Sequence, residues 1–204
     1  NNAIPIMKKI ALKGEASFAS IVSANDPFGF DVREANSMKR IKPKMKLKSF
    51  SGSCAFYYNG WRKSGLGYVD EGDVRKNPEL VDAIKLLVPK AVGSGETKSD
   101  LIKPLIPDGH SCCSETYIVI GPFDSVRERD NCIAYISTKF FHFMVGILKN
   151  TQECRRNVYS LVPMQDFSQD WADDALFEKY GLTDEEADYI RTSVRPMELD
   201  LGHV

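Results

Sequence analysis

The stretch from Glu115 to Leu148 changes its hydrophobic period partway along, and this limits the fold more than any other feature of the chain. Glu115–Gly121 (ETYIVIG) is a β-branched, aromatic-bearing run ended by glycine, the pattern of a buried strand. Ser125-Val126-Arg127-Glu128 follows. Ser-x-x-Glu is a capping box, in which serine and glutamate satisfy each other's orphan amides, and it predicts a helix to about Ile136. Thr138–Leu148 then carries Phe140, Phe141, Met144, Ile147 and Leu148 on one helical stripe. A strand feeding two helices excludes an all-α or all-β fold.

The flanking sequence fits the same class. Residues 5–24 read as a helix with Gly14 as its weak point, stopped at Asn25-Asp26-Pro27 because the residue before proline is pushed out of the helical region. Phe28–Val32, Cys54–Asn59, Gly65–Val69, Ile84–Val88 and Tyr159–Met164 read as strands, with Asn59-Gly60 as a turn. Pro78–Ala83 predicts a short helix, and Lys90–Lys98 is a basic Gly/Ser-rich loop. Asp170–Tyr180, closed by Gly181, and Thr183–Val194, opened by a second capping box at Thr183 and Glu186, predict two terminal helices. The expected fold is α+β, with a mixed sheet core, packed helices and a C-terminal helical hairpin. Residues 1–165 are expected to form an α+β domain and residues 166–204 an acidic helical appendage. Tyr117–Gly121 should be a central strand, with the Phe140/Phe141/Met144/Ile147 face packed against the sheet.

The net charge of −1 conceals a strong asymmetry. Residues 1–65 hold twelve Lys/Arg against four acids, whereas residues 166–204 hold three against eleven. Such segregation suits a basic face for a polyanion, or else two ends that pair with each other. Five irregularly spaced cysteines do not form a secreted disulfide framework and favour the cytosol. The longest apolar run, near Phe140–Leu148, is broken by His142 and Gly146 and falls short of a membrane span. The chain begins Asn1-Asn2-Ala3 with no signal peptide, and an upstream continuation is expected.

Catalytic patterns are incomplete. Asn25-Asp26-Pro27-Phe28-Gly29-Phe30 invites comparison with the [DN]-P-P-[YF] motif that holds a flipped base in amino-methyltransferases, but it has one proline where two are needed. Ser64-Gly65-Leu66-Gly67-Tyr68 runs into a predicted strand, whereas S-adenosylmethionine needs a Gly-rich turn that opens a helix. Glu96-Thr97-Lys98 and Pro107-Asp108 contain the elements of a Mg²⁺-dependent nuclease in inverted order. His110-Ser111-Cys112-Cys113 holds metal-capable groups without the C-x-x-C pairing of a structural zinc site. The three histidines accompany no nucleophile elbow.

Nucleic-acid features are stronger. Lys39–Lys48 (KRIKPKMKLK) has six basic residues and no acid, and period two places Lys42, Lys44, Lys46 and Lys48 on one face of an extended segment. Its bland alternative is a solvated edge strand that discourages aggregation. The candidate DNA contacts are Lys39, Arg40, Lys42, Lys44, Lys46, Lys48, Arg62, Lys63, Lys90, Gly93, Ser94, Gly95 and Lys98. Gly93 and Gly95 permit close backbone approach, and Ser94 can donate to phosphate or base. Tyr57, Tyr58, Trp61 and Tyr68 either contact bases or fill a core, and core filling is favoured for most of them.

A set of segments occurs in order. It comprises Asp26-Pro27-Phe28-Gly29-Phe30, Lys90-Ala91-x-Gly93-Ser94-Gly95, Ser114-Glu115-Thr116-Tyr117-x-Val119-x-Gly121-x-Phe123, Thr138-Lys139-Phe140-Phe141, Lys149-Asn150-Thr151-Gln152, Val162-Pro163-Met164-Gln165-Asp166-Phe167-Ser168, and Trp171-x-Asp173-x-x-Leu176-x-x-x-Tyr180-Gly181-Leu182-Thr183-x-Glu185-Glu186. Together they resemble the C-terminal portion of adenine-specific DNA methyltransferases of type II restriction–modification systems. The resemblance implies a target-recognition region that positions double-stranded DNA for N6-adenine methylation. An upstream methyltransferase domain of the same polypeptide would bind S-adenosylmethionine, and this chain itself would hold no catalytic residue, metal or cofactor. It also implies that Lys90–Gly95 and the basic strands face DNA. The alternative is a Mg²⁺-dependent restriction endonuclease domain of the same system.

Overall fold

A computed structural model of the chain describes residues 2–30, 44–91, 102–149 and 153–194. The elements run α1 (Ala3–Ala11), β1 (Ser53–Tyr57), α2 (Trp61–Ser64), β2 (Gly67–Asp70), β3 (Ile84–Pro89), β4 (Ser111–Cys113), β5 (Tyr117–Phe123), α3 (Val126–Ile136), α4 (Lys139–Leu148), α5 (Asp173–Lys179) and α6 (Asp184–Ser193). The fold is α+β, as the periodicities require. The chain divides into two compact units. A strand unit takes the described parts of Ile21–Lys90 and Pro104–Asp124, and a helical unit those of Asn1–Ser20, Ala91–Lys103 and Ser125–Asp200. The terminal helices thus share a unit with α1, α3 and α4, and the chain does not divide at residue 165.

In the strand unit, β1 pairs antiparallel with β2 and parallel with β4, giving a mixed three-stranded sheet. Cys54, Ala55, Phe56 and Tyr57 are all buried, so both faces of β1 are covered, as suits the middle strand. A second sheet pairs β3 antiparallel with β5. On the other flank of β5, the Ser23 amide donates to the Val119 carbonyl at 2.8 Å, and Val22 bridges Ile120. The expected inner strand therefore has neighbours on both sides. Phe30 forms a bridge within the Phe28–Val32 segment, whose last two residues lie outside the described part.

The helical unit departs from expectation in three places. The helix foreseen over residues 5–24 splits. α1 ends at Ala11, Gly14 turns the chain at φ +63°, and Phe18–Ile21 is a 3-10 turn. Gly14 decides this, because that left-handed conformation is open to glycine at no steric cost. The strand foreseen over Tyr159–Met164 is instead a 3-10 turn at Arg156–Tyr159, followed by a single bridge between Ser17 and Pro163. Proline has no amide to extend a ladder, and its carbonyl accepts the Tyr135 hydroxyl at 2.8 Å.

The third departure concerns α4. Its apolar stripe packs among helices of its own unit, where α3, α5, α6 and the Arg156–Tyr159 turn are its neighbours. Phe140 lies flat on Tyr180 with ring centroids 5.1 Å apart, and Phe141 meets Phe18 and Tyr135 edge-on at 5.1 and 5.2 Å. The α4 N-terminus is capped twice. Thr138 Oγ1 accepts the Phe141 amide at 3.1 Å, and the Asp173 carboxylate accepts the amides of Lys139 and Phe140 at 3.0 and 2.8 Å. Ser125 caps α3, and Thr183 with Glu186 forms the full capping box on α6. Among the described residues no single helix is long and apolar enough to cross a membrane. The α3–α4 pair has the length and composition but is bent by 68°.

Two outcomes follow from α4. Phe140→Ala removes a fully buried ring and is expected to cost about 3–5 kcal/mol in chemical unfolding. His142 is buried, its Nε2 has no hydrogen-bond partner among the described residues, and desolvation pulls its pKa down to about 4. The folded state therefore holds a neutral imidazole, and its contribution is complete above the unfolded value near 6.5 and is lost as pH falls towards 4. Replacing it as His142→Gln should reduce the stability difference between pH 7 and pH 5 by about 2 kcal/mol, read from urea unfolding of both proteins at both pH values.

Candidate nucleic-acid interface

β1 and β2 form a hairpin whose connection is braced at several points. Gly60 (φ +95°) and Gly65 (φ +92°) bracket α2, and the Tyr58 hydroxyl donates to the Gly65 carbonyl at 2.9 Å, closing the base of the loop. Inside it, Trp61 Nε1 donates to the Tyr117 hydroxyl of β5 at 3.0 Å, and the indole meets Tyr57 edge-on at 5.1 Å. The Arg62 guanidinium lies over the Trp61 ring, 5.1 Å from its centroid. Arg62 and Lys63 are exposed.

The lysine-rich segment joins the outer side of this hairpin. Lys46 exchanges both backbone hydrogen bonds with Tyr68 of β2, at 2.9 and 2.8 Å, so the segment is extended there as period two predicts. Met45 crosses β2 at Gly67, where an added Cβ would come within 2.4 Å of its sulfur. Leu47 reaches Gly65, the residue that follows α2. Leu47 is nevertheless 61% exposed, so the apolar residues of the run do not form a buried face. Lys44, Lys46, Lys48, Arg62 and Lys63 are all exposed, and none has a carboxylate at ion-pair distance among the described residues.

The remaining candidates are placed less fully. Lys90 is half-buried after β3, with its amide on the Thr116 carbonyl at 2.9 Å. Lys39, Arg40, Lys42, Gly93, Ser94, Gly95 and Lys98 lie outside the described residues. Of the aromatic candidates, Tyr57 is buried in the core, while Tyr58, Trp61 and Tyr68 are half-buried against it. The opposite end of β1, where Ser53 faces Asp70, is acidic. There His110 Nδ1 sits 2.6 Å from Asp82 and Nε2 3.6 Å from Glu71, and Asp82 holds the imidazole above its ordinary pKa. The hairpin thus carries positive charge at one end and negative charge at the other.

Other chemically suggestive groups are built into the interior. Asp26 is 1% exposed and left-handed at φ +57°, its carboxylate accepting Lys76 Nζ at 2.8 Å. Asn77 donates to the Pro27 carbonyl at 2.6 Å, and Phe28 and Phe30 are fully buried, so neither ring is presented to a flipped base. Cys54 and Cys112 touch across β1 and β4 with sulfurs 3.3 Å apart, and burial lowers the Lys85 amine to about 8. His110 is exposed while Cys112 and Cys113 are buried, and no three metal-capable side chains converge among the described residues. Asp108 is exposed, and the rest of the nuclease pattern, Glu96 to Lys98, lies outside the described residues. Gly65-Leu66-Gly67 leads into β2, so it offers no strand-to-helix cradle for S-adenosylmethionine.

Gly67 is the contact on which the lysine segment seats. Gly67→Ala would force Met45 aside, and hydrogen exchange should quicken at the Lys46 and Tyr68 amides while Ala55, bonded towards β4, keeps its protection. Searches against protein-family models, curated proteins and solved structures find no match to this chain.

Proposed function

We propose that the chain is a DNA target-recognition region of an adenine-specific DNA methyltransferase of a restriction–modification system, working in the cytoplasm. In this reading it holds double-stranded DNA while an upstream domain of the same polypeptide, carrying S-adenosylmethionine, methylates N6 of adenine. The observation that carries it is the group of exposed cations around the β1–β2 hairpin, Lys44, Lys46, Lys48, Arg62 and Lys63, none of which has a carboxylate partner among the described residues. Cations left without carboxylate partners on a braced hairpin suit phosphate binding, where each contact releases counterions. The ordered set of segments from Asp26 to Glu186 supports the methyltransferase assignment.

Replacing Lys44, Lys46 and Lys48 together by Gln tests the reading. The plot of log affinity against log salt should flatten by about 2–3 units for every duplex alike, given roughly 0.9 per phosphate contact. An unchanged slope would assign the run to a solvated sheet edge.

A further inference from the structure

We infer that Arg62 is a base-reading residue, whose guanidinium, mounted on Trp61, takes the O6 and N7 edge of a guanine in the major groove. The inference rests on the DNA-recognition reading above and deepens it by separating the side chain that reads from those that position.

The cations of the hairpin are not equivalent. Lys44, Lys48 and Lys63 are exposed ammonium groups on flexible stems, suited to phosphates as point charges. Lys46 lies over the Phe50 ring, 4.1 Å from its centroid, but Arg62 is the one guanidinium among them and is held by an indole that lies between it and the core. The mount is itself fixed from two directions, by the hydrogen bond from Trp61 Nε1 to Tyr117 and by the edge contact with Tyr57. The loop below is pinned by the Tyr58–Gly65 hydrogen bond and by the Gly65 amide on the Trp61 carbonyl at 2.8 Å.

Stacking engages the face of a guanidinium and leaves its edge donors free. Arg62 has no carboxylate or other acceptor among the described residues, so its donor fork is both unspent and held in place. A planar fork matches the two acceptors of guanine, the commonest specific contact in the major groove; an ammonium can also reach both, but from a flexible stem and with no fixed plane. Position on the hairpin fits as well. Arg62 sits at the turn, while Lys46 runs along the sheet edge behind it, which suits an arrangement with the turn in the groove and the edge along the phosphates.

The test uses the whole chain and a library of duplexes with a randomised core. Wild type should enrich sequences with at least one required guanine. The charge-conserving Arg62→Lys should lose preference at that position by about ten- to a hundredfold and keep the other preferences and nearly the same salt slope. Tyr117→Phe, which frees the mount and leaves Arg62 untouched, should weaken the same preference only. Substituting 7-deazaguanine, which lacks the N7 acceptor, should weaken binding by wild type more than binding by Arg62→Lys. Arg62→Lys with wild-type preference at every position would overturn the inference while leaving DNA recognition standing. Wild type that binds no duplex would overturn both. Arg62 is exposed, and a matching thermal unfolding midpoint for each variant separates lost recognition from lost folding.

Discussion

The strand unit is organised by the burial of β1 on both faces. Cys54 to Tyr57 contribute four consecutive buried side chains, which only a strand with neighbours on each side and layers above and below can satisfy. β2 hangs from one side of it and β4 from the other, one antiparallel and one parallel. The exposed cations around the hairpin are attached at one remove. α2 follows the end of β1, Lys46 pairs with β2, and Trp61 is tied to β5 through Tyr117. The strand unit thus carries exposed lysines together with a guanidinium stacked on an indole.

Signals that act over a few residues were legible in the sequence. The caps at Ser125 and Thr183 sit where the local pattern places them, and the aromatic strands fall within a residue or two of expectation. Period two along the lysine run correctly indicated extended backbone at Lys46, though not that Leu47 would remain in solvent. What escaped depends on partners far apart in the chain. Asp173 caps a helix that begins 34 residues earlier, and Trp61 finds Tyr117 across 56 residues. No local pattern marks either pair. The broken first helix was half legible: Gly14 was flagged as weak, but the Phe18 turn follows from the aromatic cluster that receives it.

The acidic tail shows how charge can mislead about architecture. Its composition differs so strongly from the rest that it reads as a separate appendage, yet its residues serve the helical unit from within. Asp173 satisfies two amides of α4, Tyr180 covers Phe140, and Lys9 of α1 bonds Glu186 at 2.6 Å. Part of the negative charge is thus spent on structure, and the Lys9–Glu186 pair is one direct link between the acidic tail and the basic N-terminal part of the chain.

The double cap on α4 bears on where the chain could be cut and rejoined. A graft cut at the change of composition, after residue 165, would strip the helix of Asp173 and bare the flat face of Phe140. A recombinant joint that respects the molecule would keep the chain whole as far as Ile190, the last fully buried residue of α6, and make its exchange at the hairpin tip. There Gly60 and Gly65 already mark two ends that a different loop could inherit.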